Sequence, residues 1–339
     1  MTTLFATKKL ILVKKMETLF VTRDAQLKQH EKTLQIRFAS DKKVRSLPIE
    51  KLSHIVLLGE TRLNSRLLTL CGKHNVRLSV FDYYGYCKGV FEPMDKNPAG
   101  KVKLKQAALL LDDRQRMAVA REIVRGAVHN MLANLRYYQY RGKSELKAVV
   151  QVMRAQSKGI DKAKNTEELM GYEGLLHAEY YAAWKLIDKR LDFGKRVRRP
   201  PNNPINCLIS FLNQMVYTVV RHEISKTHLE ETFSLLHTPG YGRASLSLDL
   251  AEPFKPLLSD ALIFKLIKQN RLNDNWFEQQ DQVCLLSEVG RRHIAEQFAI
   301  RLEESYQGRS FRQWIYYEAL GIEREVLGVF EYQAFKRKV

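Results

Sequence analysis

The stretch PPNNPINCLISFLNQMVYTVV, residues 200–220, carries the clearest helix signal in the chain. The side chain of Asn203 is suited to capping a helix, and Pro204 suits the first helical position. Apolar side chains then recur at the three- and four-residue spacing of a single helix face, at Ile205, Leu208, Ile209, Leu212, Val216, Val219 and Val220. The pattern predicts a long helix with one buried face.

Helical patterns continue on both sides of this stretch. An amphipathic helix is predicted from Lys101 to about Arg141, and another from about Asn165 to Lys189. More helix is expected from about Leu250 to the end of the chain. The loop at residues 190–204, between the helix predicted to end at Lys189 and the helix that begins near Pro204, is strongly basic.

The first part of the chain has a different pattern. Short runs rich in Val, Ile, Phe and Thr, several of them alternating, predict strands. A helix beginning at Asn64-Ser65 interrupts them, and Gly85 is expected to turn a hairpin. The predicted strands are residues 3–8, 11–15, 17–22, 33–39, 54–59 and 76–82.

The change of pattern falls at residues 93–101, PMDKNPAGK, a stretch with two prolines and a glycine. We therefore predict an α+β protein built as two domains. A small β-rich N-terminal domain covers residues 1–93, a linker covers 94–101, and a larger all-α domain covers 102–339.

The overall charge favours a polyanionic partner. The 339 residues include 56 Lys and Arg and 37 Asp and Glu, which gives a net charge of +19. No apolar run approaches the roughly 20 residues of a membrane span, and the N-terminus lacks the pattern of a signal peptide. The four cysteines stand singly, which argues against a disulfide framework. We expect a cytoplasmic protein that acts on nucleic acid.

One histidine has a distinctive setting. His237 precedes a loop that leads to Asp249 and Glu252, which are spaced to share one face of a helix. An imidazole and two carboxylates make a site for Mg²⁺ or Mn²⁺. The spacing also fits a capping box, with Asp249 at the cap and Glu252 reaching back, although Pro253 weakens that interpretation. The spacing alone leaves both interpretations open.

Glu173 is the best candidate for a further acidic ligand. It lies on a predicted helix beside Gly174, a residue that lowers helix stability by about 1 kcal/mol relative to alanine. A glycine there indicates a close approach to the backbone, by a ligand or by a packed helix. His54, His129, His177 and His293 instead fit the pattern of satisfied or solvated histidines.

Three segments together resemble a known family. YEG (172–174), the helix at 200–220 and LHTPGYGRASLSLDLAEPFKPLLSD (236–260) are similar to the CRISPR-associated integrase of the adaptation module, the family that inserts new spacers into CRISPR arrays. Residues 49–93 resemble the β-domain of the same family. The resemblance covers nearly the whole chain, in the same order. Lys255 stands where the family commonly has arginine, and the residues after Gly174 are bulkier than the family's alanine-rich run.

The resemblance implies a site, residue by residue. The metal ligands correspond to Glu173, His237 and Glu252, and Asp249 matches a neighbouring acid that supports them and counts with them as catalytic. Asn206, Ser210 and Tyr217 match polar positions on the long helix. The implied cofactor is Mg²⁺ or Mn²⁺.

The resemblance also implies the activity and the partners. The expected reaction is attack of a DNA 3′-hydroxyl on a phosphodiester of the repeat, by a homodimer paired through its β-domain and working with a small ferredoxin-like adaptation protein. Two alternatives stay open: a repair nuclease for branched or single-stranded DNA, and a non-enzymatic basic scaffold. Candidate phosphate contacts are Arg190, Lys195, Arg196, Arg198, Arg199, Arg243 and Lys255.

Overall fold

The computed structural model describes residues 18–40, 43–94, 99–240 and 244–338. Contacts between Cα atoms divide the chain into two compact units, one formed by residues 1–97 and 273–304, the other by residues 98–272 and 305–339. The predicted order, a β-rich N-terminal region followed by a helical C-terminal region, is confirmed. Residues 273–304 join the first unit, an arrangement that the predicted layout of consecutive domains does not include.

The first unit contains two four-stranded sheets. The strands are β1 (Thr18–Val21), β2 (Ala25–His30), β3 (Thr33–Phe38), β4 (Val44–Pro48), β5 (His54–Leu57), β6 (Thr61–Arg62), β7 (Arg77–Phe81) and β8 (Cys87–Phe91), with helix α1 (Ser65–Lys73) between β6 and β7. In one sheet, the strand order is β1-β5-β7-β8, with β1, β5 and β7 parallel and β8 antiparallel. In the other sheet, the order is β4-β3-β2-β6.

Alternation places the apolar side chains of these strands in one core. Leu27, Leu34 and Ile36 are fully buried there, together with Leu67 of α1. The strands predicted at 17–22, 33–39, 54–59 and 76–82 are confirmed, as are the capped start of α1 and the turn at Gly85, which has a φ of 82°. The strands predicted at 3–8 and 11–15 lie outside the described residues. Three observed strands, β2, β4 and β6, were missed because more than half of their residues are polar.

The same unit includes a hairpin and a helix from the later part of the sequence. These are β9 (Phe277–Gln280), β10 (Val283–Leu286) and α11 (Glu288–Leu302). The expectation of continuous helix from Leu250 to the end is therefore wrong at residues 277–286. Positive φ at Asp281, 51°, permits the tight turn between the two strands.

The second unit is helical apart from one very short hairpin, β11 (Ser305–Tyr306) and β12 (Arg309–Ser310). Its helices are α2 (Gly100–Leu111), α3 (Asp113–Gln139), α4 (Leu146–Ser157), α5 (Gly159–Lys162), α6 (Thr166–Ala182), α7 (Trp184–Ile187), α8 (Pro204–Ile224), α9 (Leu246–Ala251), α10 (Ala261–Lys268) and α12 (Phe311–Leu327). A π-helical turn, Pro256–Asp260, leads from α9 to α10.

Helix α8 is the centre of this unit and forms as predicted. The side chain of Asn203 accepts from the backbone N–H of Asn206 at 2.9 Å, and Pro204 occupies the first position. All seven apolar residues of the predicted face are buried, and α8 packs against α9, α12 and the π-helical turn. The long helix predicted from Lys101 to Arg141 is instead two helices. Asp112 breaks it because its carboxylate caps α3, accepting from Arg114 and Gln115.

Within the described residues, every helix is either too short or too polar to traverse a lipid bilayer.

Candidate metal centre

Helix α6 presents a carboxylate and an imidazole on one face. Asn165 caps the helix by accepting from the N–H of Glu168 at 2.8 Å, which sets where its turns begin. Glu173 and His177 are separated by four residues and therefore stand one turn apart on the same face. Nε2 of His177 lies 2.9 Å from Oε1 of Glu173.

Glu252 comes to this pair from a different part of the chain. It follows helix α9 directly, at the start of the turns that lead into the π-helical segment. Its side chain is 4% exposed, and its Oε2 lies 3.6 Å from Nε2 of His177. Lys255, one turn later, holds its ammonium group 2.6 Å from the Glu252 carboxylate. Two acids, an imidazole and an ammonium group thus meet in one small buried volume.

The arrangement of donor atoms fits a divalent cation. One ligand atom each from Glu173, His177 and Glu252 lie within 4.8 Å of one another. Two neighbouring ligands of an octahedral ion at about 2.1 Å stand about 3 Å apart, close to the spacings of this cluster. Nε2 of His177 and Oε2 of Glu252 are buried, and among the described residues neither makes a hydrogen bond of good geometry, although Oε2 lies 2.6 Å from Nζ of Lys255. A cation between the imidazole and the carboxylates would satisfy these atoms.

His237 and Asp249 form a second, adjoining pair. The carboxylate of Asp249 is fully buried and accepts from the backbone N–H groups of Leu235, Leu236 and His237 at 2.5, 2.9 and 3.1 Å. It also accepts from Nδ1 of the His237 ring at 2.7 Å. A carboxylate on one ring nitrogen leaves Nε2 with a lone pair, the usual state of a metal-binding histidine.

The capping-box interpretation of the two acids is therefore wrong. Asp249 lies inside α9 rather than at its N-cap, which is Ser245, and its carboxylate accepts from the segment that leads to His237. The two acids, which are three residues apart, instead have different partners. Asp249 orients His237, and Glu252 faces the cluster.

Interactions between the side chains of the cluster favour their charged forms. Burial by itself raises the pKa of Glu252, but Lys255, His177 and His237 attract the carboxylate and hold its pKa far below the usual range. Burial opposes protonation of His177, yet Glu173 and Glu252 raise its pKa to about 9. Burial likewise disfavours the charged form of His237, and Asp249 outweighs it, so the pKa of His237 is raised. The influence of Glu252 on His237 shows that the two pairs lie close together.

The polar residues of α8 anchor the basic loop that precedes the helix. Asn206 is fully buried, accepts from Nη1 of Arg196 at 3.1 Å and from the N–H of Val197 at 3.2 Å, and donates to the carbonyl of Lys195 at 3.0 Å. Ser210 accepts from Nη2 of Arg196 at 3.0 Å. These contacts turn Arg196 inward, where it interacts electrostatically with Tyr217.

The predicted phosphate contacts occupy different environments. Lys195, Arg198 and Arg199 are exposed, whereas Arg196 is half-buried and Lys255 is buried against Glu252. Arg190 is exposed but forms an ion pair with Asp188 at 2.7 Å. Arg243 lies outside the described residues.

The structure thus brings together two of the three predicted ligands, Glu173 and Glu252, and places His237 beside them. His177 is the residue that sequence reasoning missed, since it was grouped with the satisfied or solvated histidines. Its spacing of four residues from Glu173 was the available signal, because that spacing places two side chains on one helix face. Nothing local in the sequence indicated that Glu252 would also approach it.

Comparisons with known proteins agree on one family. The family profile described as "CRISPR associated protein Cas1" matches residues 19–299. The CRISPR-associated endonuclease Cas1 of Fusobacterium nucleatum is 35% identical over 324 residues, which cover 94% of this chain and 95% of that protein. The structure of a CAS1 protein from Thermotoga maritima is 30% identical, with a TM-score of 0.83, and the match covers 95% of this chain and 100% of that one.

Two more distant structures share the fold. A casposase bound to an integration product is 19% identical with a TM-score of 0.82, over 95% of this chain and 94% of that one. A Cas6-RT-Cas1–Cas2 complex contains a chain that is 18% identical with a TM-score of 0.84, over 97% of this chain and 37% of the longer one.

Proposed function

The chain belongs to the Cas1 family of CRISPR-associated proteins, and on that premise we propose that it is a metal-dependent DNA integrase and endonuclease that inserts new spacers into a CRISPR array. The observation that carries the proposal is the cluster of Glu173, His177 and Glu252, with His237 and Asp249 as an adjoining pair, in a chain of net charge +19. Carboxylates repel the phosphates of DNA, so a surface that only binds DNA is not expected to place acids beside them. A cation between the acids and the phosphate would remove this repulsion.

The proposed metal ligands are Glu173, His237 and Glu252, with Mg²⁺ or Mn²⁺ as the ion. Bound there, the ion would stabilise the negative charge that builds up on a non-bridging oxygen of the target phosphodiester. Asp249 keeps the proton of His237 on Nδ1, so that Nε2 is available as a ligand or as an acceptor for the proton of the nucleophile. Lys255 compensates the negative charge of Glu252 and keeps that carboxylate ionised.

The proposed reaction exchanges one phosphodiester for another. The 3′-hydroxyl of the incoming DNA loses its proton and forms a bond to phosphorus, the bond from phosphorus to the 3′-oxygen of the nucleotide before the attacked phosphate breaks, and that leaving oxygen takes up a proton. Because the bonds made and broken are of the same kind, no external energy source is needed. With water in place of the hydroxyl, the same site is an endonuclease.

The proposed DNA contacts begin at the loop before α8. Lys195, Arg198 and Arg199 are exposed there, and the anchoring of Arg196 by Asn206 and Ser210 ties this loop to the same helix unit as the cluster. Arginine and lysine side chains on such a loop neutralise phosphates without reading sequence. We include Arg190 and Arg243 in the same role.

We propose the partners that the family assembles with. One solved structure with this fold is a complex that contains Cas2, which supports a small ferredoxin-like adaptation protein as a partner of this chain. A second copy of the chain, paired through the N-terminal β-rich region, completes the proposed assembly.

The decisive test replaces Glu173 with glutamine, which removes the charge and keeps the size. We expect Glu173→Gln to lower the rate of strand joining by at least 10³-fold, because the centre loses a ligand, with unchanged DNA affinity. The readout is formation of DNA longer than the input, in Mg²⁺ and in Mn²⁺.

Glu167 on the same helix is exposed and provides the matched control. Glu167→Gln should join strands at the wild-type rate. Joining that survives Glu173→Gln would refute the proposed centre. Cleavage of branched DNA without any joined product would favour a repair nuclease, and DNA binding without metal-dependent chemistry would favour a scaffold.

A further inference from the structure

We propose that His177 is an additional metal ligand of this centre, so that the ion is held by two imidazole nitrogens and two carboxylates, and that this donor set favours Mn²⁺ over Mg²⁺. The proposal rests on the proposed function, since it concerns the same metal site. His177 lies between the two carboxylates, whereas His237 borders them.

The position of His177 is the first argument. Nε2 is 2.9 Å from Oε1 of Glu173 and 3.6 Å from Oε2 of Glu252, so the imidazole lies between the two carboxylates rather than at their edge. Of the described histidines, it is the one whose ligand atom lies within 4.8 Å of both acids. An ion that contacts both carboxylates at ordinary bonding distances therefore also meets Nε2 of His177.

The hydrogen bonding of His177 is the second argument. Nε2 is buried and lies 2.9 Å from Oε1 of Glu173, which is ion-pair distance without the alignment of a hydrogen bond. Oε2 of Glu252, on a side chain that is only 4% exposed, contacts Nζ of Lys255 at 2.6 Å and lies 3.6 Å from Nε2 of His177. In the neutral ring, Nε2 offers a lone pair toward the same space as the two carboxylates, which is the arrangement that a shared cation requires.

The setting of His177 fixes its ring. It stands in the middle of α6, held by the helix from Thr166 to Ala182, and packs against the ring of Tyr181 with centroids 5.7 Å apart. A ring held in this way loses little rotamer freedom when it binds an ion. A Cβ on Gly174, the residue after Glu173, would meet no atom within 4 Å among the described residues.

The identity of the donors points to the ion. Mg²⁺ prefers oxygen ligands and retains its waters, whereas imidazole nitrogen suits first-row transition ions. A centre with one imidazole and two carboxylates discriminates weakly between Mg²⁺ and Mn²⁺. A second imidazole adds a donor that strengthens the binding of Mn²⁺ more than that of Mg²⁺.

The test counts nitrogens directly. The full chain without DNA is loaded with one equivalent of Mn²⁺, and pulsed electron paramagnetic resonance records the couplings to ¹⁴N. We expect two coordinated imidazoles in the wild type and one in His177→Gln or His237→Gln. His129 bonds to the carbonyl of Arg337 at 2.8 Å, outside the cluster, so His129→Gln should retain two.

Titration calorimetry of the same proteins gives the affinities. We expect His177→Gln to weaken Mn²⁺ binding at least tenfold and Mg²⁺ binding much less. An equal loss for both ions, or one nitrogen in the wild type, would overturn the assignment. The nitrogen count of the wild type decides the question even if the variant folds poorly.

The two proposals fail separately. If joining requires Glu173 while the wild-type Mn²⁺ signal contains one nitrogen, the role of His177 is refuted and the proposed function stands. If joining survives Glu173→Gln, the proposed function is refuted whatever the nitrogen count.

Discussion

At the scale of single residues, Asp249 binds both the backbone N–H and the ring of His237. Its two oxygens accept from three consecutive backbone N–H groups and from the imidazole, so one carboxylate fixes both the backbone before the loop and the tautomer of the ring. The sequence indicated that this acid belongs to the site. Only the fold shows that its partners are main-chain donors of residues 235–237.

The change Asp249→Asn tests this positioning role. An asparagine amide puts N–H groups where the protein already presents donors, so we expect the free energy of unfolding to fall by roughly 2 kcal/mol. The kcat of strand joining should fall because His237 is misoriented, whereas the KM for DNA should be nearly unchanged. The hydroxyl of Ser247 on the same helix donates to the carbonyl of Ala244, a contact local to the helix start, and Ser247→Ala should leave the rate intact. A normal kcat in Asp249→Asn would contradict the role.

At the scale of elements, helix α8 shows how far local chemistry reaches. Its cap, its first residue and its buried face all follow from side chains within a few positions of one another, and all three were predicted. The prediction of one long helix over residues 101–141 was wrong, and the cause is equally local. Asp112 competes for the backbone donors of Arg114 and Gln115, so the helix ends and begins again there.

Replacing the cap of α8 measures its contribution. Asn203 also donates to the carbonyl of Phe193 at 3.2 Å, which ties the basic loop to the helix. We expect Asn203→Ala to lower the free energy of unfolding by about 1 kcal/mol, read from the urea midpoint. Asn203→Asp keeps an acceptor at the cap and should lose less than half of that. Equal midpoints for wild type and Asn203→Ala would show that the cap contributes nothing.

At the scale of the whole molecule, the last residues of the chain complete the helical unit. Asn130 of α3 donates to the carbonyls of Pro253 and Phe335 at 2.8 and 3.0 Å, which joins the segment after Glu252 to the C-terminal tail. Glu318 of α12 receives the same tail, accepting from the hydroxyl of Tyr332 at 2.6 Å and from the N–H of Phe335 at 3.1 Å.

Docking of the tail should make stability depend on pH. Burial raises the pKa of Glu318 from 4.5 to about 7, so the folded state binds a proton that the unfolded chain releases at lower pH. The stabilisation is complete below pH 4.5 and is lost as the pH rises toward about 7, a change of about 3 kcal/mol.

Thermal or urea unfolding of the wild type and Glu318→Gln at pH 5 and pH 8 measures this contribution. Glutamine does not titrate, so the wild type should lose stability relative to the variant between the two values. A constant difference would mean that the carboxyl group does not titrate in this range.

The sequence by itself determined the order of the two regions, the cap and buried face of α8, and the two acids of the candidate metal centre, Glu173 and Glu252. Each depends on periodicity, on contacts within a few residues, or on a short motif that can be recognised in the sequence without the structure. The tertiary structure alone decided that residues 273–304 cluster with the N-terminal sheets and that His177 lies between Glu173 and Glu252. Those outcomes depend on packing between segments far apart in the chain, and no local interaction encodes the distance between two side chains on different helices.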